Sequence, residues 1–268
     1  MTILTKILKK KKQEVEQLKK QPGPLRETGT SLSSIPKIAD TFRNRERMNI
    51  IAEIKRASPS KGEIDMTVNP AARAKQYESY GASAISVLTD KTFFKGSMDY
   101  LQQVRTAVNL PVLCKDFFID KVQIDQAKSA GASVILLIVA SLQEKKLNEL
   151  YTYATELGLE VLCEVHNEQE METALRTGAK IIGINNRDLN TFEVDLETTG
   201  RLSSMVKNSD TILISESGIK TGKDVLQVAG HGANGILIGE TLMRSENLQA
   251  TFEELRKPLT KEGQFNAR

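Results

Sequence analysis

The chain has 268 residues, 40% of them hydrophobic and 26% charged, with a formal net charge of +3. These are the proportions of an ordinary globular protein long enough to bury a large core. The charge is too small to point to nucleic acid by itself, and no apolar run approaches the roughly 18 residues of a membrane span. The lysine-rich start leads into no apolar stretch or cleavage site, which argues against a secretory signal.

Residues 1–47 read as a helical extension in front of a domain spanning residues 48–268. Leu4, Leu8, Val15 and Leu18 fall on one helical stripe, with Lys9, Lys10, Lys12, Glu14, Lys19 and Lys20 mostly outside it. Gln21 to Pro24 ends that helix, and Gly29 to Ser34 reads as loop. The extension is either a lid or docking helix, or a solvated helix laid against the domain.

From Asn49 onward, short β-branched runs alternate with longer amphipathic stretches. The runs are Asn49–Ile54, Ala84–Leu88, Pro111–Lys115, Ser133–Val139, Glu160–Glu164, Lys180–Ile184, Thr211–Ser215 and Gly235–Ile238. Their nearly continuous apolar character suits parallel strands buried on both faces. Asn69 before Pro70 is a helix N-cap followed by proline at the first helical position, and Asp195 and Thr221 are further N-cap candidates. Gly-Ala recurs at Gly81, Gly131, Gly178 and Gly232, each where a helix stops and a strand follows. About eight such units, echoing every two, favour an α/β fold of the closed (β/α)8 (TIM) barrel type. An open doubly wound sheet is the alternative, but no G-x-G-x-x-G follows the first strand.

A barrel of this kind carries its active site at the C-terminal ends of its strands, so charges at those ends are informative. Glu53 and Lys55 end the first strand on one face, Lys115 the third and Glu164 the fifth. The sixth strand runs into Asn185, Asn186 and Arg187, and the seventh ends at Glu216. Three acids and three bases thus converge on one rim. Cys114 and Cys163 have the opposite parity and should face the outer helices as small core residues. Neither they nor the two histidines supply a disulfide framework or a histidine metal pair, and a reducing, cytoplasmic setting fits. His166 reads as loop past its strand end, and His231 as an exposed turn. Ser217 and Gly218 after strand seven, with Gly239 after strand eight, stand where many barrels hold phosphate through backbone N–H groups. Ser58 to Gly62 after strand one reads as a mobile polar loop carrying the cation Lys61.

These residues resemble the indole-3-glycerol phosphate synthase family. The likeness runs through Glu53-Ile-Lys-Arg-Ala-Ser-Pro-Ser-Lys-Gly62, Ser86 to Asp90, Phe93 to Ser97, Pro111 to Phe117, Glu160 to Val165, Gly183 to Leu189, Ser215 to Ile219 and Leu237 to Glu240. It covers essentially the whole barrel in order, whereas residues 21–47 match poorly. The resemblance implies a cofactor-independent carboxy-lyase of tryptophan biosynthesis. It would close 1-(2-carboxyphenylamino)-1-deoxyribulose 5-phosphate to indole-3-glycerol phosphate, with loss of CO2 and water. It implies Lys115 as general acid, Glu164 as general base and Lys55 as a cation near the substrate's anionic groups. Glu53 and Glu216 match orienting carboxylates, and Asn185 and Arg187 match substrate-contacting polar residues. Ser58, Ser217, Gly218 and Gly239 match the first-loop and phosphate contacts, while Glu240 stands where some members have serine. A helical N-terminal extension is usual in the family and favours the lid.

The expected partner is a phosphorylated small molecule, with no cofactor, metal, nucleic acid or membrane, and a monomer or weak homodimer. Another phosphate-binding barrel of the same pathway, such as phosphoribosylanthranilate isomerase or the tryptophan synthase α chain, is the nearest alternative. Lys55 and the extension separate them. An anion- or nucleic-acid-binding module using Lys9 to Lys12 is the non-enzyme alternative, but that run lacks interleaved aromatics and reads as a solvated face.

Overall fold

The computed structural model describes residues 2–20, 35–43, 46–59, 61–189 and 191–259. The expected helix stop at Gln21 to Pro24, the loop at Gly29 to Ser34, and Ser60 lie outside the described residues. The strands are β1 Asn49–Ile54, β2 Ala84–Leu88, β3 Val112–Lys115, β4 Val134–Ile138, β5 Glu160–Val165, β6 Ile181–Asn185, β7 Ile212–Glu216 and β8 Gly235–Ile238. Each lies within one residue of its predicted run at either end. All neighbours are parallel, and the sheet closes in the order β1-β8-β7-β6-β5-β4-β3-β2.

Alternation along the strands makes two cores. Ile51, Leu113, Leu136, Leu162, Ile214 and Leu237 fill the barrel. Ile50, Ile85, Ile182 and Ile236 face outward and pack on the helices, together with Cys114 and Cys163. Both thiols are buried, and burial pushes their pKa values up, that of Cys163 to about 12. They are space-filling apolar groups, not nucleophiles. Gly81, Gly131, Gly178 and Gly232 all have φ between +77° and +94°, the left-handed conformation that ends a helix without a Cβ clash. Asn69 accepts the Ala72 N–H and Thr221 the Asp224 N–H as N-caps. Asp195 stands one residue before the cap position, with its carboxylate accepting the Glu197 N–H. His231 is half-buried beside Gly200, not exposed.

The extension reaches both ends of the barrel. Its helix, Ile3–Lys20, crosses the rim where the strands end, and Ile3, Leu4 and Ile7 wall the cavity there. The buried stripe runs through Ile7, Lys11 and Val15; Leu4, Leu8 and Leu18 flank it half-buried. Lys9, Lys10 and Lys12 face solvent, but Lys11 does not, which corrects the solvated reading of that run. Its Nζ lies 2.7 Å from Asp116, 3.0 Å from Asp90 and 2.9 Å from Glu14.

At the opposite end, a short helix over Ile38–Thr41 plugs the barrel. Ile38 and Phe42 belong to the interior core, and the Phe42 ring occupies the space a side chain at Gly235 would take. Glu160 at the start of β5 accepts the Ile38 and Ala39 N–H groups at 2.7 and 2.9 Å.

Candidate active site

Strand register sets the site. Glu164 pairs with Gly183, and Glu216 with both Asn185 and Leu237, so the acidic side chains stand at adjoining levels near the strand ends. They open into a cavity of about 870 Å³, large enough for a small phosphorylated ligand.

Lys115 sits at the centre. Its Nζ donates to Glu216 Oε2 at 2.6 Å and to Glu164 Oε2 at 3.0 Å. Burial alone would lower its pKa, but Glu216, Glu164 and Glu53 outweigh this and hold it raised, so the ammonium is charged at rest. Glu164 is opposed by burial but held well below the usual carboxylate range by Lys115 and His166. Glu216 goes the other way: burial and repulsion from Glu164 and Glu53 prevail over Lys115, and its pKa rises to about 7. Two carboxylates flanking one ammonium thus differ in proton affinity, the pattern that separates acid from base roles.

Lys55 pairs with Glu53 at 2.7 Å, and both press against Gly239. A Cβ there would meet Glu53 Oε1 at 2.4 Å and Lys55 Nζ at 3.1 Å. Gly183 has the same use: a Cβ would lie 2.1 Å from Glu216 Oε1. Asn185 Nδ2 donates to Glu164 Oε1 at 3.2 Å, and its Oδ1 accepts the Arg187 N–H. The Arg187 guanidinium donates to Phe192 O, which braces the loop after β6.

Ser58, Arg187, Ser217, Gly218, Gly239 and Glu240 all line the same cavity. Ser217 and Gly218 have φ of +68° and +86°, a tight turn that presents backbone to the cavity. Ser58 is buried in a small antiparallel ribbon, Ala57–Ser58 with Gly62–Glu63, so the first loop is a hairpin over the rim. Glu240 turns its carboxylate toward Arg244 at 3.3 Å and Lys61 at 3.7 Å. Among the described residues, no group of three or more His, Cys, Asp and Glu could hold a metal.

The structure brings Glu53, Lys55, Lys115, Glu164, Asn185, Arg187 and Glu216 of the expected rim to one cavity, whereas Asn186 is buried behind it, its Nδ2 donating to Ser215 Oγ at 2.9 Å and Ser217 O at 3.1 Å. Three residues outside that lining, which the sequence does not single out, also bear on the site. His166, read as loop, lies 3.2 Å from Glu164; its signal was the shared parity with Glu164. Lys11 clamps Asp116, next to Lys115, and its signal was a lysine midway between Ile7 and Val15 at a spacing of four. Gly183 opens one of the family-like segments, but nothing in the sequence marks it as the residue that makes room for Glu216.

A closed (β/α)8 barrel with a lysine held between two inequivalent carboxylates in a cavity at its strand ends has the form of a barrel enzyme. The indole-3-glycerol phosphate synthase family profile matches residues 4–255. The indole-3-glycerol phosphate synthase of Oceanobacillus iheyensis is 52% identical over 97% of this chain and 98% of that one. That of Bacillus mycoides is 48% identical over 95% and 98%. The chain belongs to the indole-3-glycerol phosphate synthase family. The structure of thiamine phosphate pyrophosphorylase from Pyrococcus furiosus superposes with a TM-score of 0.60 at 16% identity, over 82% of this chain and 96% of that one, a likeness of fold alone.

Proposed function

We propose that the chain converts 1-(2-carboxyphenylamino)-1-deoxyribulose 5-phosphate to indole-3-glycerol phosphate, with Lys115 as general acid and Glu164 as general base. The observation that carries this reading is the Lys115 ammonium between Glu164 and Glu216 inside the cavity. The ring carbon bearing the carboxylate attacks the ketone carbon, and Lys115 protonates the ketone oxygen as it becomes a hydroxyl. The attack leaves a cationic imine in the intermediate. Loss of CO2 returns the bonding electrons to that imine and restores the benzene ring. The hydroxyl then leaves as water with a proton from Lys55, or from Lys115 once solvent has reprotonated it. Glu164 takes the proton from the carbon next to nitrogen, completing the pyrrole.

Glu53 and Glu216 orient the two lysines. Asn185 fixes Glu164, and Ser58 and Arg187 contact the substrate. Ser217, Gly218, Gly239 and the backbone at Glu240 hold the phosphate, because glycine lets the chain approach an anion closely. The helix of residues 3–20 closes the cavity over the ligand, as lids do, so that residues 1–47 act as the lid-bearing extension of a catalytic domain over 48–268. The same reading takes the protein to be a cytoplasmic monomer or weak homodimer that binds neither nucleic acid nor membrane.

The test is to add the phosphorylated anilino-ribulose to pure protein without cofactors and follow indole fluorescence. Indole formation supports the reading. Its absence, with phosphoribosylanthranilate isomerised instead, overturns it in favour of the isomerase.

A further inference from the structure

Behind Glu164, outside the cavity wall, lies a charged pair that the reaction above does not use. His166 is two residues past Glu164, and its side chain is only 8% exposed. Its Nδ1 is 2.9 Å from Glu170 Oε2, and its Nε2 is 3.2 Å from Glu164 Oε1. Glu170 is itself fixed. Its Oε2 also accepts the His166 backbone N–H at 2.9 Å, and its Oε1 accepts Asn167 Nδ2 at 2.7 Å.

Each ring nitrogen therefore faces a carboxylate oxygen. A neutral imidazole has one N–H and would turn a lone pair toward one of the two anions. Protonating both nitrogens removes that repulsion. Nε2 makes no well-aligned hydrogen bond; its attraction to Glu164 is Coulombic, and Oε1 is left to accept from Asn185. The charged and polar groups around this contact are Glu164 on β5, Glu170 on the helix Glu168–Thr177, and, beyond Glu164, Lys115 on β3 and Asn185 on β6.

We propose that His166, held by Glu170, is a positioning residue, charged at neutral pH, that keeps Glu164 ionised and aimed at Lys115. The proposal rests on the base role of Glu164. Its logic lies in the proton inventory. Once Lys115 has given its proton to the ketone, His166 is the cation that remains beside Glu164, and it keeps the carboxylate available as a base. Burial opposes the imidazolium, but Glu164 and Glu170 together raise its pKa to about 10.

The chain has two histidines, so ring 15N signals are resolvable, and the one lost in His166→Gln is assigned directly. In the full-length protein at pH 8, both ring nitrogens of His166 should be protonated. The acid limb of kcat should move up by roughly one pH unit in His166→Gln, because an opposite charge beside a carboxylate lowers its pKa by about that much or more. Glu170→Gln should move it the same way, with KM within about threefold in both variants. A neutral ring at pH 8, or an unmoved acid limb in both variants, overturns the proposal. Turnover surviving in Glu164→Gln would instead overturn the base role beneath it, an outcome the ring nitrogen signals report separately.

Discussion

Replacing Lys11 by methionine removes the cation that two buried carboxylates share. Asp90 is fully buried and Asp116 nearly so, and Lys11 Nζ lies within 3.0 Å of both. Burial opposes the ammonium, yet Asp116 and Asp90 hold its pKa raised, so the pairing outweighs desolvation. Removing one partner of a buried ion pair costs roughly 3–5 kcal/mol. The lower end applies here because each carboxylate keeps other donors. Asp90 accepts the Phe93 and Phe94 N–H groups, and Asp116 accepts the Thr89 hydroxyl and the Phe117 N–H. About 3 kcal/mol is about a hundredfold in the docking equilibrium of the helix on the rim. The barrel loses no strand or interior residue, so the expected event is local undocking, not unfolding. The cavity wall formed by Ile3, Leu4 and Ile7 loosens with the helix. KM should then rise by roughly tenfold or more, trypsin should cut faster at Lys9, Lys10 and Lys12, and the thermal midpoint should fall only by a few degrees. KM within twofold of wild type and an unchanged tryptic rate would refute the clamp.

Gly183→Ala places a methyl 2.1 Å from Glu216 Oε1; kcat should fall at least about tenfold while the fold survives, since overpacking costs roughly 1–3 kcal/mol, and kcat beside the thermal midpoint checks both. Deleting residues 1–20 should leave a stable barrel with raised KM, whereas deleting residues 1–43 also removes Ile38 and Phe42 from the barrel interior. The second truncation should melt far lower, because losing one buried phenylalanine costs roughly 3–5 kcal/mol; paired melting curves decide it. His166 has a folded pKa raised from 6.5 to about 10. Its contribution to stability is therefore fully present below pH 6.5 and lost as pH rises through about 10. Urea midpoints of wild type and His166→Gln should converge across that window, and a gap that stays constant would contradict it.

The barrel was legible because its signals are local and periodic. Near-continuous apolar runs and glycines closing helices specify βα units without reference to distant residues, and strand parity alone sent Cys114 outward and Lys115 inward. The rim was legible for the same reason, since a charge ending an apolar strand stands out. What stayed hidden depends on contacts across the chain. Lys11 looked like one of four solvated lysines until the loops carrying Asp90 and Asp116 were folded beneath it. Phe42 plugs the barrel because Gly235, almost 200 residues later, leaves room for its ring. The extension therefore contributes to the barrel core as well as to the cavity roof, which the completeness of the strand series from Asn49 did not reveal. The sequence marks Gly218 only as a close-approach residue. In the structure a Cβ there would meet Val194 Cγ1 at 2.2 Å, so a larger side chain would displace the loop after β6 as well.

The central claim is that Lys115, poised between Glu164 and Glu216, supplies the proton that activates the ketone. Steady-state turnover of Lys115→Met on the phosphorylated anilino-ribulose, with substrate binding measured on the same preparation, tests it most directly. Loss of a general acid is worth roughly 100- to 10,000-fold. The account predicts a kcat lowered by that much in a protein that still folds and binds; turnover within about tenfold of wild type would contradict it.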